Sequence, residues 1–316
     1  MKMQKSLLSR GKVAIIGMGA VGSAAAYAFI LNGCVSELVL IDVDKDKAEG
    51  NALDLEHCEM FTQLTSIESG DSFDLVDRAD VVVITAGLSQ KPGQTRLELF
   101  ENNNRLLKEI IPKVVAVNKD CILLIVSNPL DIMTYAAWKY SGFDSCRVFG
   151  TGTVLDTARL RYLIGEQCRV SSKDVNAFVL GEHGDHSFVW WSKATIAGIS
   201  LASFTGYSQG FEKKIAEQVK NAAYQIIDKK GATSYAIGLV IVNIVRSILF
   251  NQPRVFTVSS IIHNQYGIDN VALSLPTIIR RDGVCEMLRC DLNGEELDYL
   301  HQAAEILRGI ILKVIR

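Results

Sequence analysis

Four apolar residues, Val13-Ala14-Ile15-Ile16, run into Gly17-Met18-Gly19-Ala20-Val21-Gly22, and an alanine-rich stretch from Ser23 to Leu31 follows. A buried strand, a glycine turn and a helix in that order leave few folds open. Gly17 permits the tight turn, Gly19 lets the backbone approach a pyrophosphate, and Gly22 lets the helix lie close to the strand. The helix N-terminus then offers its unpaired N–H groups to phosphate charge. The glycine spacing is weak evidence alone; the strand before it and the helix after it give it meaning. Asp42 stands twenty residues beyond Gly22, at the end of the apolar run Glu37 to Val43. A carboxylate there accepts from both ribose hydroxyls of an adenosine. A 2′-phosphate would instead face a like charge, costing about 3 kcal/mol per charge pair at ~5 Å and an effective dielectric near 20. The expected cofactor is therefore NAD. Without the glycines, Asp42 would read as a solvated strand end.

Further apolar runs, Asp80 to Thr85, Cys121 to Ser127 and Arg147 to Gly150, read as strands, with helical stretches from Lys45 to about Met60 and from Leu97 to Val117. Runs of β-branched residues separated by helices predict a doubly wound parallel α/β sheet covered on both faces. The pattern then changes. A helix from Leu155 to Cys168 precedes strands near Val175 to Leu180, Arg254 to Ile262, Val271 to Ile279 and Val284 to Leu288. Long helices are predicted around Phe211 to Asp228, Thr233 to Phe250 and Gly294 to Ile315. This is a mixed α+β half with antiparallel pairs. The boundary is placed at Thr151-Gly152-Thr153, giving domains 11–151 and 152–316. With no internal repeat and no low-complexity linker, the two halves are expected to pack tightly.

Composition excludes several classes. The chain has 316 residues, 48% hydrophobic, and a net charge of -2, so it has ample material for a core and no dense basic stripe for nucleic acid. Seven cysteines (Cys34, Cys58, Cys121, Cys146, Cys168, Cys285, Cys290) are scattered without a Cys-x-x-Cys pair and read as reduced thiols of a cytoplasmic protein. No metal site is expected. Ala236 to Phe250 is mostly apolar but shorter than the roughly 20 residues of a membrane span, and Asn243 and Arg246 interrupt it. It reads as a helix buried in a core or at a subunit interface. Met1 to Lys12 is polar and basic apart from Leu7-Leu8, too little for a signal peptide.

Two stretches carry the chemistry: Leu155-Asp156-Thr157-Ala158-Arg159 and Gly181-Glu182-His183-Gly184-Asp185. They offer a carboxylate, a guanidinium and an imidazole. A neutral imidazole takes a proton near pH 7, and a neighbouring carboxylate fixes its tautomer and favours its charged form. A guanidinium fork matches a substrate carboxylate with two parallel hydrogen bonds. The blander alternative for either stretch alone is a helix capped by Asp156 and a surface His183.

These stretches are accompanied, in order, by the glycine turn, by Gln90-Lys91-Pro92-Gly93-Gln94-Thr95-Arg96, by Ser127-Asn128-Pro129-Leu130-Asp131 and by Lys230-Gly231-Ala232-Thr233. The ordered set resembles the L-lactate/malate dehydrogenase family from about Gly11 to the C-terminus, and Gln90 makes it similar to the lactate-specific members. The resemblance implies a Rossmann NAD-binding half followed by the family's α+β half. Reduction of pyruvate and oxidation of (S)-lactate, the end step of anaerobic glycolysis, is the implied activity. His183 would be the proton acceptor, with Asp156 on its other nitrogen. Arg159 would anchor the substrate carboxylate with help from Thr233, and Asn128 would donate to the substrate oxygen. Arg96 would polarise the carbonyl from a polar loop that closes over the substrate, and Gln90 would face the substrate's variable end. Ala20, Val21, Lys47, Ala86, Gly87, Val126 and Asn128 would join Gly17, Gly19, Gly22 and Asp42 around the cofactor, and Ile237 matches an apolar position beside the nicotinamide. A homotetramer is implied, with a dimer as the alternative.

Two other functions compete. A malate or other 2-hydroxyacid dehydrogenase would meet a second substrate carboxylate with a cation near position 90; Gln90 is neutral, although Lys91 is adjacent. A dinucleotide-binding protein without catalysis would keep the glycine turn and lose the catalytic half, yet His183, Asp156, Arg159, Arg96, Asn128 and Thr233 are all present. Trp190-Trp191 and the short N-terminal arm depart from the family pattern. Arg161 matches an arginine of the family's fructose 1,6-bisphosphate site, but the partner histidine position is Asn176, so weak or absent activation is expected.

Overall fold

The computed structural model describes residues 11–88 and 96–314. Six parallel strands form its N-terminal half: β1 (Lys12–Ile16), β2 (Glu37–Ile41), β3 (Ser66–Gly70), β4 (Val81–Ile84), β5 (Ile122–Ile125) and β6 (Val148–Gly150), in the order β3-β2-β1-β4-β5-β6. Strand residues alternate between two faces. Ala14, Ile16, Val82, Ile84, Leu123 and Ile125 join one apolar cluster, and Val13, Ile15, Val81, Val83, Ile122 and Leu124 join the other. Because both faces are buried, these strands are continuously apolar in sequence.

Four helices belong to this half: α1 (Ala20–Asn32), α2 (Lys45–Glu56), α3 (Arg96–Val117) and α4 (Leu130–Ser141). The C-terminal half contributes α5 (Val154–Cys168), β7 (Val175–Asn176), β8 (Val179–Gly181), β9 (Ser187–Val189), β10 (Thr195–Ile196) and β11 (Ile199–Ser200). After these come α6 (Phe211–Lys230), α7 (Tyr235–Leu249), β12 (Arg254–Ile262), β13 (Val271–Arg280), β14 (Gly283–Met287) and α8 (Gly294–Val314). The sheet continues past β6 into β12, β13, β8 and β9, now antiparallel, with β14 also on β13. β7, β10 and β11 form a separate small antiparallel sheet.

The halves share both cores. Helices α3 and α4 cover one face of the parallel sheet and α8 continues that layer over β8, β9 and β13, while α1, α2 and α7 lie on the other side. Gly238 of α7 lies so close to α1 that a Cβ would stand 2.9 Å from the Ala24 carbonyl oxygen. The apolar stretch of 236–250 is thus a helix with one face in a shared core, and among the described residues no helix is long and apolar enough to cross a membrane. Trp190 and Trp191 pack against Phe178 and Phe211 respectively.

Several elements differ from the sequence expectation. β3 was not anticipated: Ser-Ile-Glu-Ser-Gly has no apolar run, because it is an edge strand with partly exposed residues. α4 gives no periodic signal in sequence, because nearly every residue is buried, which erases the amphipathic period. The single strand expected over 175–180 is divided between β7 and β8, which belong to different sheets. α2 ends at Glu56 and continues as one 3-10 turn to Phe61.

The start of α5 is tied down by hydroxyls. Thr153 Oγ1 donates to the Val179 carbonyl at 2.5 Å, and Thr157 Oγ1 accepts from Val179 N–H at 3.0 Å. Gly152 precedes them with φ +56°, and a Cβ there would lie 2.3 Å from Thr257 O and 2.5 Å from Ser259 N. Gly142, at φ +64°, has open space around it. Gly142→Ala should therefore cost only the left-handed backbone term, roughly 1–2 kcal/mol. Gly152→Ala adds an overlap with backbone atoms of roughly 1–3 kcal/mol and should be the more damaging. Urea midpoints of the two variants check this, and equal midpoints would refute the steric reading.

Candidate active site

The glycine turn is built as its sequence suggests. Gly17 has φ +104°, and a Cβ there would meet Ala86 N at 2.5 Å; at Gly22 it would meet Gly17 O at 2.0 Å. At Gly19 nothing lies within 4 Å of the corresponding position, so the backbone borders open space. Gly19 is also the N-cap of α1, and among the described residues no side-chain cap bond forms at that helix end. Ala20 and Val21 begin its first turn. Thr85 Oγ1 donates to Gly17 O at 2.6 Å and pins the turn to the end of β4.

Asp42 follows β2 directly. Its Oδ2 accepts Met18 N–H at 2.6 Å and its Oδ1 accepts Asp44 N–H at 3.1 Å, while Lys47 Nζ stands 3.7 Å away. The carboxylate is thereby held beside the glycine turn with lone pairs to spare, since its two oxygens have about four acceptor sites. Ala86 and Gly87 follow β4, and Val126 and Asn128 follow β5, so these groups gather at the carboxyl ends of the parallel strands, where ligands bind in such sheets. Val21, Val126 and Ile237 pack against one apolar cluster. Open space at Gly19, an uncapped helix N-terminus and a fixed carboxylate fit a dinucleotide.

The second group centres on Asp156, in the first turn of α5. Its Oδ1 accepts from Arg159 Nη1 at 2.8 Å, and its Oδ2 lies 2.6 Å from His183 Nδ1. Arg159 follows at i+3 on the same helix face. An ionised carboxylate only accepts, so it holds the proton on Nδ1 and leaves Nε2 as the free nitrogen of the ring. Burial favours the neutral acid, but His183 and Arg159 outweigh it, and the Asp156 carboxyl is held below its ordinary range. For His183, burial favours the neutral ring; Asp156, reinforced by Asp131, prevails over burial and Arg159 and raises its proton affinity.

His183 lies between β8 and β9, and its backbone is fixed as firmly as its ring. Its N–H donates to Asp131 Oδ2 at 2.7 Å, and Asp131 Oδ1 accepts from Ser259 Oγ at 2.6 Å. Asp131 is 2% exposed. Burial first, then Glu182, push its carboxyl up to about 7, against the opposing effects of Ser259 and His183. Asn103 on α3 ties neighbouring loops together: its Oδ1 accepts Leu88 N–H at 2.7 Å and its Nδ2 donates to Asn128 O at 2.7 Å.

Thr233 is half-buried between α6 and α7. Arg96 opens α3, and Gln90 and Lys91 lie outside the described residues. Arg161 Nε donates to Ala177 O at 3.0 Å, and its guanidinium stacks on Phe178. Asn103 and Ser259 escaped the sequence reading, and Asp131 was seen there only as part of a motif. Asn102-Asn103-Asn104 inside a helix was the available signal, because asparagine is a poor helix former unless a tertiary bond requires it.

A dinucleotide cradle and a carboxylate-held imidazole beside a guanidinium, on one continuous sheet, define an oxidoreductase for a small anionic substrate. Comparison with known proteins narrows that class. Residues 11–150 match the lactate/malate dehydrogenase NAD binding domain, and residues 153–316 match the alpha/beta C-terminal domain of the same enzymes. The chain belongs to the lactate/malate dehydrogenase family, and NAD is its cofactor. It is 45% identical over 305 residues to an L-lactate dehydrogenase of Clostridium botulinum, covering 95% of this chain and 96% of that one. It is 44% identical, with the same coverage, to one from Clostridium perfringens. Among solved structures, a lactate dehydrogenase from a Medee basin deep-sea metagenome library matches with a TM-score of 0.93 at 39% identity, covering 97% of this chain and 99% of that one. The minor L-lactate dehydrogenase of Enterococcus mundtii gives the same TM-score and identity, covering 97% and 98%.

The raised affinity of His183 sets a sign for pH. A histidine raised in the folded state stabilises the fold below its unfolded value near 6.5, and that contribution is lost as pH rises through the folded value. Asp156 acts oppositely: its contribution is present above about 3.9 and lost as pH falls through its lowered value. Asp156→Asn should bring the His183 titration down in pH. Imidazole NMR titration of the two proteins, with His183 assigned by substitution, reads this directly; an unmoved midpoint would show that Asp156 does not govern the ring.

Proposed function

We propose that this protein is an NAD-dependent L-lactate dehydrogenase that interconverts (S)-lactate and pyruvate. The observation that carries this reading is the single buried carboxylate of Asp156, which holds the imidazole of His183 and the guanidinium of Arg159 together. A 2-hydroxy acid needs one base and one carboxylate anchor within the span of three carbons, and this pair supplies both.

NAD, held by Gly17, Gly19, Ala20, Val21, Gly22, Asp42, Lys47, Ala86, Gly87, Val126 and Asn128, supplies the hydride acceptor. In lactate oxidation His183 Nε2 takes the hydroxyl proton as the C2 hydrogen leaves as hydride, and Asp156 stabilises the resulting imidazolium. In pyruvate reduction the same nitrogen returns the proton to the oxygen. Arg159 binds the substrate carboxylate through the donors that Asp156 leaves free, with the Thr233 hydroxyl beside it. Asn128 donates to the C2 oxygen, and Arg96, the first residue of α3, polarises the carbonyl. The halves divide at 151/152, so the cofactor groups come mainly from the first and His183, Asp156, Arg159 and Thr233 from the second.

The physiological setting we propose is a cytoplasmic homotetramer that closes anaerobic glycolysis by reducing pyruvate. Arg161 is already bonded to Ala177 and stacked on Phe178, and Asn176 cannot supply a second cation. Both features support weak or absent activation by fructose 1,6-bisphosphate.

Steady-state assay with pyruvate and NADH tests the reading. His183→Asn should retain NADH binding and lower kcat by at least ~10²-fold, the usual contribution of an acid–base group. Arg159→Lys keeps the charge and loses the fork, so it should weaken substrate binding by roughly 1.5–3 kcal/mol. Undiminished turnover in the first variant, or unchanged pyruvate KM in the second, would remove the assigned role.

Gln90 separates pyruvate from oxaloacetate. Facing the substrate's variable end, a neutral amide leaves a second carboxylate without a partner, whereas Gln90→Arg supplies one and leaves its own charge unpaired against pyruvate. Both effects raise kcat/KM for oxaloacetate relative to pyruvate, by several powers of ten. A wild-type preference for oxaloacetate would transfer the protein to the malate branch of the family.

A further inference from the structure

Asp131 has no part in the chemistry set out above, yet it is the most enclosed carboxyl group in its surroundings. It lies in the first turn of α4, two residues after Pro129 and three after Asn128. One oxygen receives the backbone N–H of His183 at 2.7 Å and the other receives the Ser259 hydroxyl of β12 at 2.6 Å. Three separate pieces of chain therefore converge on one side chain: the turn bearing Asn128, the β8–β9 loop bearing His183, and the strand that joins the two halves of the sheet. On the far side of the same turn, Asn103 holds the Asn128 carbonyl.

We propose that Asp131 is a positioning residue whose carboxyl group locks the His183 loop to the Asn128 turn, so that imidazole and amide meet one substrate oxygen as a single rigid unit. This rests on the lactate dehydrogenase reading for the identity of that oxygen. His183 is consequently fixed at two points by two acids, its ring by Asp156 and its main chain by Asp131. A ring held only at Nδ1 can still swing with its backbone, and displacement of about 1 Å between reacting groups can cost on the order of 10²-fold in rate.

The chemistry of the anchor survives a change of charge. An ionised carboxyl accepts both bonds. A protonated one accepts from His183 N–H and turns its own O–H toward the Ser259 oxygen, and an asparagine amide reproduces that second pattern. The charged groups around the anchor are Glu182 and His183 on the β8–β9 loop, with Asp156 and Arg159 of α5 beyond the His183 ring. Ser259, the partner on β12, is neutral.

Three variants test the proposal with pyruvate and NADH. Asp131→Ala should lower kcat by about 10²-fold while changing the Kd for NADH by a much smaller factor. Asp131→Asn should recover most of that loss, because it restores both hydrogen bonds. Ser259→Ala, which removes one anchor, should lower kcat by a smaller factor of about 3–10 and keeps the test open where Asp131→Ala does not fold. Asp131→Asn should also lower the pH at which His183 titrates by NMR in the protein without substrate, since one neighbouring anion is gone. Full kcat in folded Asp131→Ala, an Asp131→Asn as impaired as the alanine variant, or full kcat in Ser259→Ala would overturn the proposal. If wild type fails to reduce pyruvate, the functional reading falls. The NMR arm still decides the charge coupling, and an unmoved His183 midpoint in Asp131→Asn counts against the proposal.

Discussion

One buried carboxylate sets the conditions for everything around it. Asp156 is 8% exposed, and an ionised acid so far from water is costly unless its oxygens are paired. Its two partners arrive by different routes. Arg159 is local, one helical turn along α5, whereas His183 comes from a loop 27 residues on. Removing either leaves charge exposed to a dry interior, so the electrostatic requirement and the proposed catalytic arrangement coincide. The positioning of α5 therefore matters more than its internal stability. Thr153 and Thr157 bind it to β8, and only a glycine fits at 152, where the chain turns against β12.

The two halves are not independent of each other. A parallel sheet needs helices on both faces, and the N-terminal half supplies too few to close the second face. Helix α7 completes it, packing on α1 through Gly238. This brings Ile237 into the apolar cluster that also takes Val21 and Val126 at the nucleotide end. Across the sheet, β12 bonds β6 at Ser259 and Gly150, so the strand that anchors Asp131 is also the one that joins the halves. Burial of apolar surface thus aligns groups whose chemistry depends on their separation.

Much of this was legible in the chain because it rests on local rules. The apolar β-branched runs became β1, β2, β4, β5 and β6, and Arg254–Ile262 became β12 with the bounds expected from its sequence. Gly17 and Gly22 could be read because their spacing between a strand and a helix is a local pattern, although the backbone that crowds Gly17 belongs to Ala86 at the end of β4. What escaped was non-local. β3 carries no apolar period because half of it faces solvent at the sheet edge, and α4 carries none because almost all of it is buried. Asn103 and Ser259 are ordinary polar residues in sequence; their importance comes from partners 25 and 128 positions away. No periodicity or propensity encodes such a pairing.

The balance of charges around His183 suits the role of reversible proton carrier proposed for it. The ring has to accept a proton in one direction and release it in the other, so neither form can be strongly favoured. Burial and Arg159 both oppose the charged ring, while Asp156 and Asp131 both support it. In the proposed function Arg159 binds an anionic substrate and burial excludes water, so both destabilising influences are inherent in that role. One carboxylate would have to offset two of them. The second, Asp131, reaches the ring by charge and the main chain by a hydrogen bond. Isolation from water pushes its own carboxyl up to about 7, and the charge on His183 opposes that rise while Asp131 raises the proton affinity of the ring. Protonation of the two groups is therefore coupled, and the site responds to pH as a pair rather than as a lone histidine.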